Sequence, residues 1–548
     1  MSGAGGRTAY DAVVVGAGPN GLVAANHLAD AGWSVLVLEE QPDAGGAVRS
    51  DRELDPDFVH DTFSAFYPLA LASAAVVDLR LEDHGLEWAH APAVLGHVMS
   101  DGRWALLHRD RHVTAGLLDD LEPGDGEAWL ELCATWDRIG GQLVEALTSP
   151  FPPLGTAARL LRALPGAGGL DLVRTLLTPA ASIARHRFRG EAPGLLLSGN
   201  AGHADLPLDS PGSGVFGLLM TMLGQTVGFP VPVGGAGELS AALVRRLESR
   251  GGEVRTGAAV DHVVVADGRA VAVTTRDGQR YDARRAVLAA VSAPALFEHL
   301  LDPADVPPRV SRGMPAFELD PGTVKVDWAL DGPVPWASTP AYAPGTVHVG
   351  DSVAQMTEAM SQVGAGSIPA APFMLTGQMT TSDPTRSPAG TESFWAYTHV
   401  PQPGQTRGDA GGDGLAGRWD RDECERFADR MQARMEAVAP GFGDRVRVRR
   451  VLGPHELQAR DANLIGGALN GGTSQLHQEL FFRPVPGMLG RPGTGVRGLF
   501  LASSSAHPGG GVHGAAGANA ARAALAHHPL EGAARRVRQV AGRRGDRR

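Results

Sequence analysis

Lysine is almost missing from this chain. Lys325 is the only one, so the 49 basic residues are otherwise all arginine. Together with heavy alanine and glycine use, this reads as a coding bias rather than a functional adaptation. Cysteine is nearly as scarce: Cys133 and Cys424 are too few for a disulfide scaffold and form no Cys-x-x-Cys pair, which excludes a thiol redox relay. No stretch approaches the ~18 uninterrupted apolar residues of a membrane span. The apolar run from Ala12 to Ala25 is broken by Gly16, Gly18, Pro19, Asn20 and Gly21, unlike a signal-peptide core. The expectation is a cytoplasmic protein, or one attached peripherally to the inner face of a membrane. The 19 histidines form no ligand constellation, so no metal is expected. A net charge of −11 argues against a nucleic-acid partner. What remains is globular: 43% hydrophobic and 20% charged residues, in a chain of 548 that is too long for one core. Oligomeric state is not legible from these numbers.

The first forty residues carry the clearest pattern. Tyr10–Val15 reads as a buried parallel strand, Gly16-Ala17-Gly18-Pro19-Asn20-Gly21 as a turn, Leu22–Ala31 as a helix and Ser34–Leu38 as a second strand ending at Glu39. In such a unit Gly16 makes the tight turn, Gly18 lets a pyrophosphate approach the backbone, and Gly21 lets helix and strand pack closely. The helix N-terminus offers free N–H groups and partial positive charge to phosphate. Glu39 can accept from both ribose hydroxyls and would repel a 2′-phosphate. Chance matters here, because 73 glycines in 548 residues predict roughly 1.3 accidental matches to G-x-G-x-x-G. Five occur, beginning at Gly16, Gly212, Gly412, Gly493 and Gly509, and only the first has strand, helix, second strand and acid in order. The following Gly45-Gly46 doublet resembles the flavoprotein motif that wraps the FAD pyrophosphate, with Arg49 placed to neutralise phosphate charge.

Further on, Glu238–Arg250 reads as a helix, Gly251–Val254 as turn and strand, Val260–Val265 and Ala270–Thr275 as a hairpin around Asp267-Gly268, and Ala286–Val291 as a buried strand. Near the end, the strand Gly498–Ala502 leads into the loop Ser503–Gly514 and an alanine-rich helix, Ala515–Ala526. A glycine loop feeding a helix N-terminus is again an anion site. No second strand with a ribose acid follows, so this is not another dinucleotide fold. Placed under a flavin ring, its dipole would favour the negative charge of reduced flavin.

The fingerprint at Gly16, the Gly45-Gly46 doublet, the segment from Gly234 to Pro294, Gln475, the Arg483-Pro484 pair and the closing loop resemble the phytoene-desaturase-like flavin oxidoreductases in order and spacing. The chain looks most like bacterial relatives of the pyridine nucleotide-disulfide oxidoreductase domain-containing protein 2 group, though without a redox disulfide or a separate NAD domain. The resemblance implies an α/β fold: a Rossmann-type FAD-binding domain assembled from discontinuous segments 1–75, 230–300 and 490–527, plus an α+β substrate- or membrane-facing domain from 76–229 and 301–489. It implies bound FAD, with Gly16, Gly18, Pro19, Gly21, Glu39, Gly45, Gly46, Arg49, Pro508, Gly509, Gly510, Gly511, Val512 and Gly514 around it and Val260 touching adenine through its backbone. Residues 528–548 form a tail, expected to be disordered, in which seven arginines lie between Arg535 and Arg548.

The activity expected is removal of hydride from a C–H bond of a largely apolar or lipid-like substrate, with electrons passed to oxygen, a quinone or another acceptor. Saturation of a double bond, amine oxidation and a flavin-binding regulatory role with little turnover remain open. Trp328, Trp336, Phe373, Trp395 and Tyr397 could line an apolar pocket or simply fill a core. His507 and His513 flank the closing loop and could transfer protons. Lys325, in the strand Thr323–Trp328, is similar to the amine-oxidase lysine that holds a water at flavin N5, and a compact ammonium retained among arginines fits that task. Leu143–Phe188 alternates leucines with Arg159, Arg162, Arg174, Arg185 and Arg187, a pattern suited either to an anionic membrane surface or to a solvated helix face.

Overall fold

A computed structural model of the chain describes residues 8–152, 155, 162 and 169–527. Two seven-stranded sheets organise it. In the first, β1 (Ala9–Val15) runs through the turn Gly16–Gly18 into helix α1 (Pro19–Asp30) and returns as β2 (Val35–Leu38), parallel to β1. The helix starts three residues before the expected Leu22. Gly18 stands at its N-cap and Pro19 occupies the first turn, where a missing N–H costs nothing.

β1 does not pair with its sequence neighbours alone. Arg280–Ala289 lies on its other side in parallel register, Val13 against Val287 and Val14 against Leu288. The hairpin Val260–Ala266 and Arg269–Thr275 extends that edge, Leu499–Leu501 pairs with the end of Arg280–Ala289, and Glu253–Arg255 pairs with β2. Arg280–Ala289 begins six residues before the expected Ala286, because Tyr281 and Ala283 are buried alternately with exposed neighbours and extend the strand into the hairpin. This is a Rossmann-type sheet built from widely separated parts of the chain. The expected boundaries at residues 75 and 300 do not coincide with the packing. Leu79, Leu81 and Leu86 join the core on one face of this sheet, and Leu301, Val306 and Val310 join the core on the other.

The second sheet runs Val446–Leu452, Gly322–Leu330, Glu392–Val400, Met374–Gln378, Pro344–Val349, Ala93–Val98, Trp104–Leu107. It is antiparallel except where Pro344–Val349 lies parallel to Ala93–Val98. Period-two alternation sorts its central strands. Val324, Val326, Trp328, Phe394 and Ala396 pack against Phe427, Met431 and Met435 of the helix Arg421–Val438. The opposite face carries Lys325 directly across from Tyr397, and Asp327 between Trp395 and Arg450. Helices Asp125–Thr148, Ala192–Ala201 and Ser213–Thr226 pack over the far strands around Trp129, Leu196 and Met222. Among the described residues, no helix is long and apolar enough to cross a membrane.

Candidate functional site

The glycine turn is built as a cradle. A side-chain carbon on Gly21 would sit 2.1 Å from the Gly16 carbonyl oxygen, and one on Gly16, at φ +95°, would sit 3.0 Å from the Ala290 carbonyl oxygen. Those two glycines let strand and helix close. Gly18 differs: its nearest neighbour would be the Gly46 Cα, 3.9 Å away, so the space beside it is open. Gly45 and Gly46 are brought to that same space by a hydrogen bond from the Gly45 N–H to the Ala17 carbonyl (2.9 Å). The N-terminus of α1 has no side-chain cap and no acid in its first turn. An open, uncapped helix start walled by two glycine turns fits a pyrophosphate.

Glu39 lies beside this cradle. Its carboxylate accepts from the N–H groups of Ala17 (2.7 Å) and Gln41 (2.9 Å). Burial pushes its pKa above the ordinary value, against the pull of those two bonds. The segment leading to Val260 comes to the same place, for the Ala258 N–H donates to the Glu39 carbonyl (2.7 Å). Arg49 stands beside the same cradle, where it donates to the carbonyls of Gly46 (3.0 Å) and Arg460 (2.7 Å) and lies over the Phe63 ring.

A cavity of ≈ 360 Å³ joins this cradle to the second sheet. Gly18–Gly21, Ala290, Pro508, Gly510, Gly511 and Val512 line it together with Phe66, Phe216, Met220, Trp395 and Tyr397. Of the five aromatic residues singled out in the sequence, Trp395 and Tyr397 therefore face the cavity. Trp328 packs in the core against Phe394 and Phe442, Trp336 against Trp104, and Phe373 against His348.

The closing loop presents backbone, not imidazole, to this space. Gly509, Gly511 and Gly514 hold φ values of +107°, +99° and +65°, and the loop lines the cavity through Pro508, Gly510, Gly511 and Val512. His507 packs edge-on to Phe151. His513 accepts from the Ala515 N–H (3.0 Å) at the start of the closing helix, which places any ring proton on Nε2. Burial pushes both pKa values down to about 4. Neither ring, of which proton transfer was expected, is among the residues that line the cavity.

Lys325 does line the cavity, but its ammonium is not available as the expected lone charge. It donates to the Asp327 carboxylate and to the Asp61 carbonyl (3.0 Å). Asp327 in turn takes Arg450 at 2.8 Å, and Arg450 reaches Asp51 at 2.8 Å. Burial lowers the Lys325 pKa, against the pull of Asp327.

Three features were missed from sequence. Asp461, buried, approaches within 3.3 Å of where a side-chain carbon on Gly46 would stand, and burial raises its pKa. Arg386, wholly buried, bridges Asp61 and Asp383 at 2.9 Å each. Glu479 lines the cavity and is paired with buried Arg483 at 2.7 Å. Among the described residues no cluster could hold a metal ion. Both cysteines are free and buried, their thiols pushed up by burial to about 11 (Cys133) and about 12 (Cys424).

A Rossmann-type sheet whose nucleotide cradle opens into an apolar cavity under a second sheet defines an FAD-dependent oxidoreductase. The chain belongs to the family of flavin-containing amine oxidoreductases, which it matches over residues 174–525, while residues 14–71 match the NAD(P)-binding Rossmann-like domain. Among its relatives, pyridine nucleotide-disulfide oxidoreductase domain-containing protein 2 of Mus musculus is 30% identical, over 95% of this chain and 94% of the relative. The neurosporene-forming phytoene desaturase of Rhodobacter capsulatus is 23% identical over 91% of each. Putrescine oxidase bound to putrescine shares the fold, with a TM-score of 0.58 at 17% identity, covering 94% of this chain and 98% of that one.

Proposed function

We propose that this enzyme is a dehydrogenase of the desaturase type, removing hydride from a C–H bond of a largely apolar substrate and passing the electrons to oxygen, a quinone or another acceptor. The observation that carries this reading is the cavity itself, in which the cradle at Gly18 and the loop Pro508–Val512 share one space with Phe66, Phe216, Met220 and Trp395. FAD, when bound, supplies the hydride chemistry. In this reading Gly16, Gly18, Pro19 and Gly21 seat the pyrophosphate on the α1 N-terminus, and Gly45 and Gly46 close over it. Glu39 accepts from the ribose, and the Val260 segment borders the adenine. Pro508–Gly514 would place the closing-helix dipole under the flavin ring, while the aromatic wall excludes water.

Anaerobic reduction of the bound flavin by a panel of carotenoids, lipids, amines and NAD(P)H tests this. Reduction by an apolar carotenoid or lipid is expected. Rapid reduction by NAD(P)H would instead favour a saturase, reduction by amines alone an amine oxidase, and none at all a regulatory role.

An apolar substrate has to be delivered, and an anionic membrane surface is the partner proposed for that. Leu476, Leu480, Phe481 and Leu489 are 40–52% exposed on one stretch of chain beside the cavity-lining Ser474 and Glu479, and the Phe481 ring lies tilted against Phe151. Much of the sequence pattern first associated with docking, including Leu154, Leu160, Leu161 and Leu164, lies outside the described residues, as does the arginine tail. Binding to anionic liposomes is expected to exceed binding to neutral ones and to weaken with salt. Equal failure to bind either at low salt rejects the membrane partner.

A further inference from the structure

Removing a hydride from one carbon and forming a double bond to its neighbour releases a proton, and the protein must take it. Most titratable groups that line the cavity are unsuited to this. Lys325 is committed to Asp327. Tyr67 donates to the Ser64 carbonyl (2.8 Å), and burial pushes both its pKa and that of Tyr397 upward. His203 shares a hydrogen bond with His348 (3.2 Å), and burial pushes its pKa down to about 3. Asp461 stands at the glycine turns that seat the pyrophosphate.

Glu479 is placed differently. Its Oε1 is 3.2 Å from where a side-chain carbon on Gly509 would stand, so the carboxylate lies against the closing loop. Arg483 holds it from behind at 2.7 Å. That guanidinium is wholly buried and is itself fixed by the carbonyls of Thr473 (3.1 Å), Asn470 (2.8 Å) and Ser504 (2.9 Å). The carboxylate is therefore oriented by a rigid partner while it remains on the cavity wall.

Resting on the dehydrogenase reading above, we propose that Glu479 is the proton acceptor of the reductive half-reaction. The substrate loses a hydride to the flavin from one carbon. The adjacent C–H bond breaks, its electron pair forms the new double bond, and its proton goes to the Glu479 carboxylate. The substrate is oxidised by two electrons and the flavin reduced by two; the proton on Glu479 then passes to solvent.

The charges facing Glu479 set the sign of its pH dependence. Burial raises its pKa to about 6, Arg483 and the Leu480 N–H oppose this, and the Asp205 carboxylate reinforces it. His507 and His513, which face Arg483, are neutral there. With FAD seated as proposed, a reduced flavin would add negative charge near Glu479 and would raise its pKa further. Above about pH 6, reduction therefore draws a proton onto Glu479 in addition to the one the flavin takes.

The test needs no substrate. The holoenzyme is reduced stepwise with dithionite against a reference dye, and the midpoint potential is followed with pH. Wild type is expected to give about twice the slope per pH unit above about pH 6 that Glu479→Gln gives, while Glu479→Asp keeps the steeper region at a shifted pH. Equal slopes in wild type and Glu479→Gln overturn the proposal. If Glu479→Gln does not retain flavin, the wild-type infrared difference spectrum on reduction at pH 7 decides. A new protonated-carboxyl band supports the assignment and its absence overturns it. Failure of the substrate panel alongside a positive slope test would reject the dehydrogenase reading and leave the redox-linked proton on Glu479 intact.

Discussion

Gly18→Val is expected to yield a folded, colourless protein. The backbone at Gly18 is extended, at φ −69° and ψ 173°, which any residue adopts, and the nearest atom to a new side chain is 3.9 Å away. The fold therefore has room for a β-carbon there. The pyrophosphate proposed to occupy that space does not. Overpacking of this kind costs roughly 1–3 kcal/mol, so flavin affinity should fall about ten- to a hundredfold. Wild-type protein should purify yellow and release intact FAD in acid; the variant should show the same near-ultraviolet circular dichroism with little absorbance near the flavin maximum. Gly21→Ala is the control. Its side chain would meet the Gly16 carbonyl at 2.1 Å, so it should damage the fold as well as the flavin site. A Gly18→Val protein with stoichiometric FAD would remove the cradle from the argument.

Arg386→Met should cost about 3–5 kcal/mol of stability, the usual consequence of leaving buried carboxylates without their cation. Arg386 is wholly buried and bridges Asp61 and Asp383, which are equally enclosed. It also donates to the Pro232 carbonyl (3.1 Å), and its own carbonyl accepts from the Val59 N–H (2.7 Å). Asp61 accepts from Ala236 N–H (2.7 Å) and Asp383 from Gly234 N–H (2.8 Å), so one guanidinium ties three separate loops. Equilibrium unfolding in urea reads the loss. The Asp383 pKa is depressed: burial raises it, but the Gly234 and Thr385 N–H groups and Arg386 outweigh burial. A depressed carboxylate stabilises the fold above its unfolded pKa and loses that contribution as pH falls through the folded value. The gap between wild type and variant should thus be constant near neutrality and narrow only in acid, below about pH 4. Arg386→Lys should recover only part of it, since an ammonium cannot reproduce the planar fork.

What could be read in the sequence was local. The turn at Gly16–Gly21, the doublet at Gly45-Gly46 and the helix Ala515–Ala526 are set by residue type at fixed spacing, and the turn and the loop leading into that helix share one cavity. The central strand through Lys325 was equally legible, because alternation fixes which side chains share a face. Its charge state was not, since that depends on Arg450 in a neighbouring strand. Arg386 and Asp61 are 325 positions apart, and no spacing rule joins them. The direction of His507 and His513 was illegible for a different reason. Nearness to a glycine loop says nothing about direction when three residues of that loop have positive φ. Glu479 belongs to neither class, being one acid among 60 Asp and Glu residues until the fold sets it against Gly509.

The interleaving of the first sheet has a consequence for synthesis in the cell. β1 is made well before one of its two partner strands, Arg280–Ala289, and the loop at Pro508–Val512 comes nearly five hundred residues after it. At ~5–20 residues per second, that interval is on the order of half a minute to a minute and a half. For roughly the first half of it the apolar edge of β1 lacks its partner strand, and throughout it the cradle lacks its closing wall. FAD is therefore a late ligand, able to lock the fold only once the closing loop has been made, and β1 with its glycine turn waits longest for its neighbours.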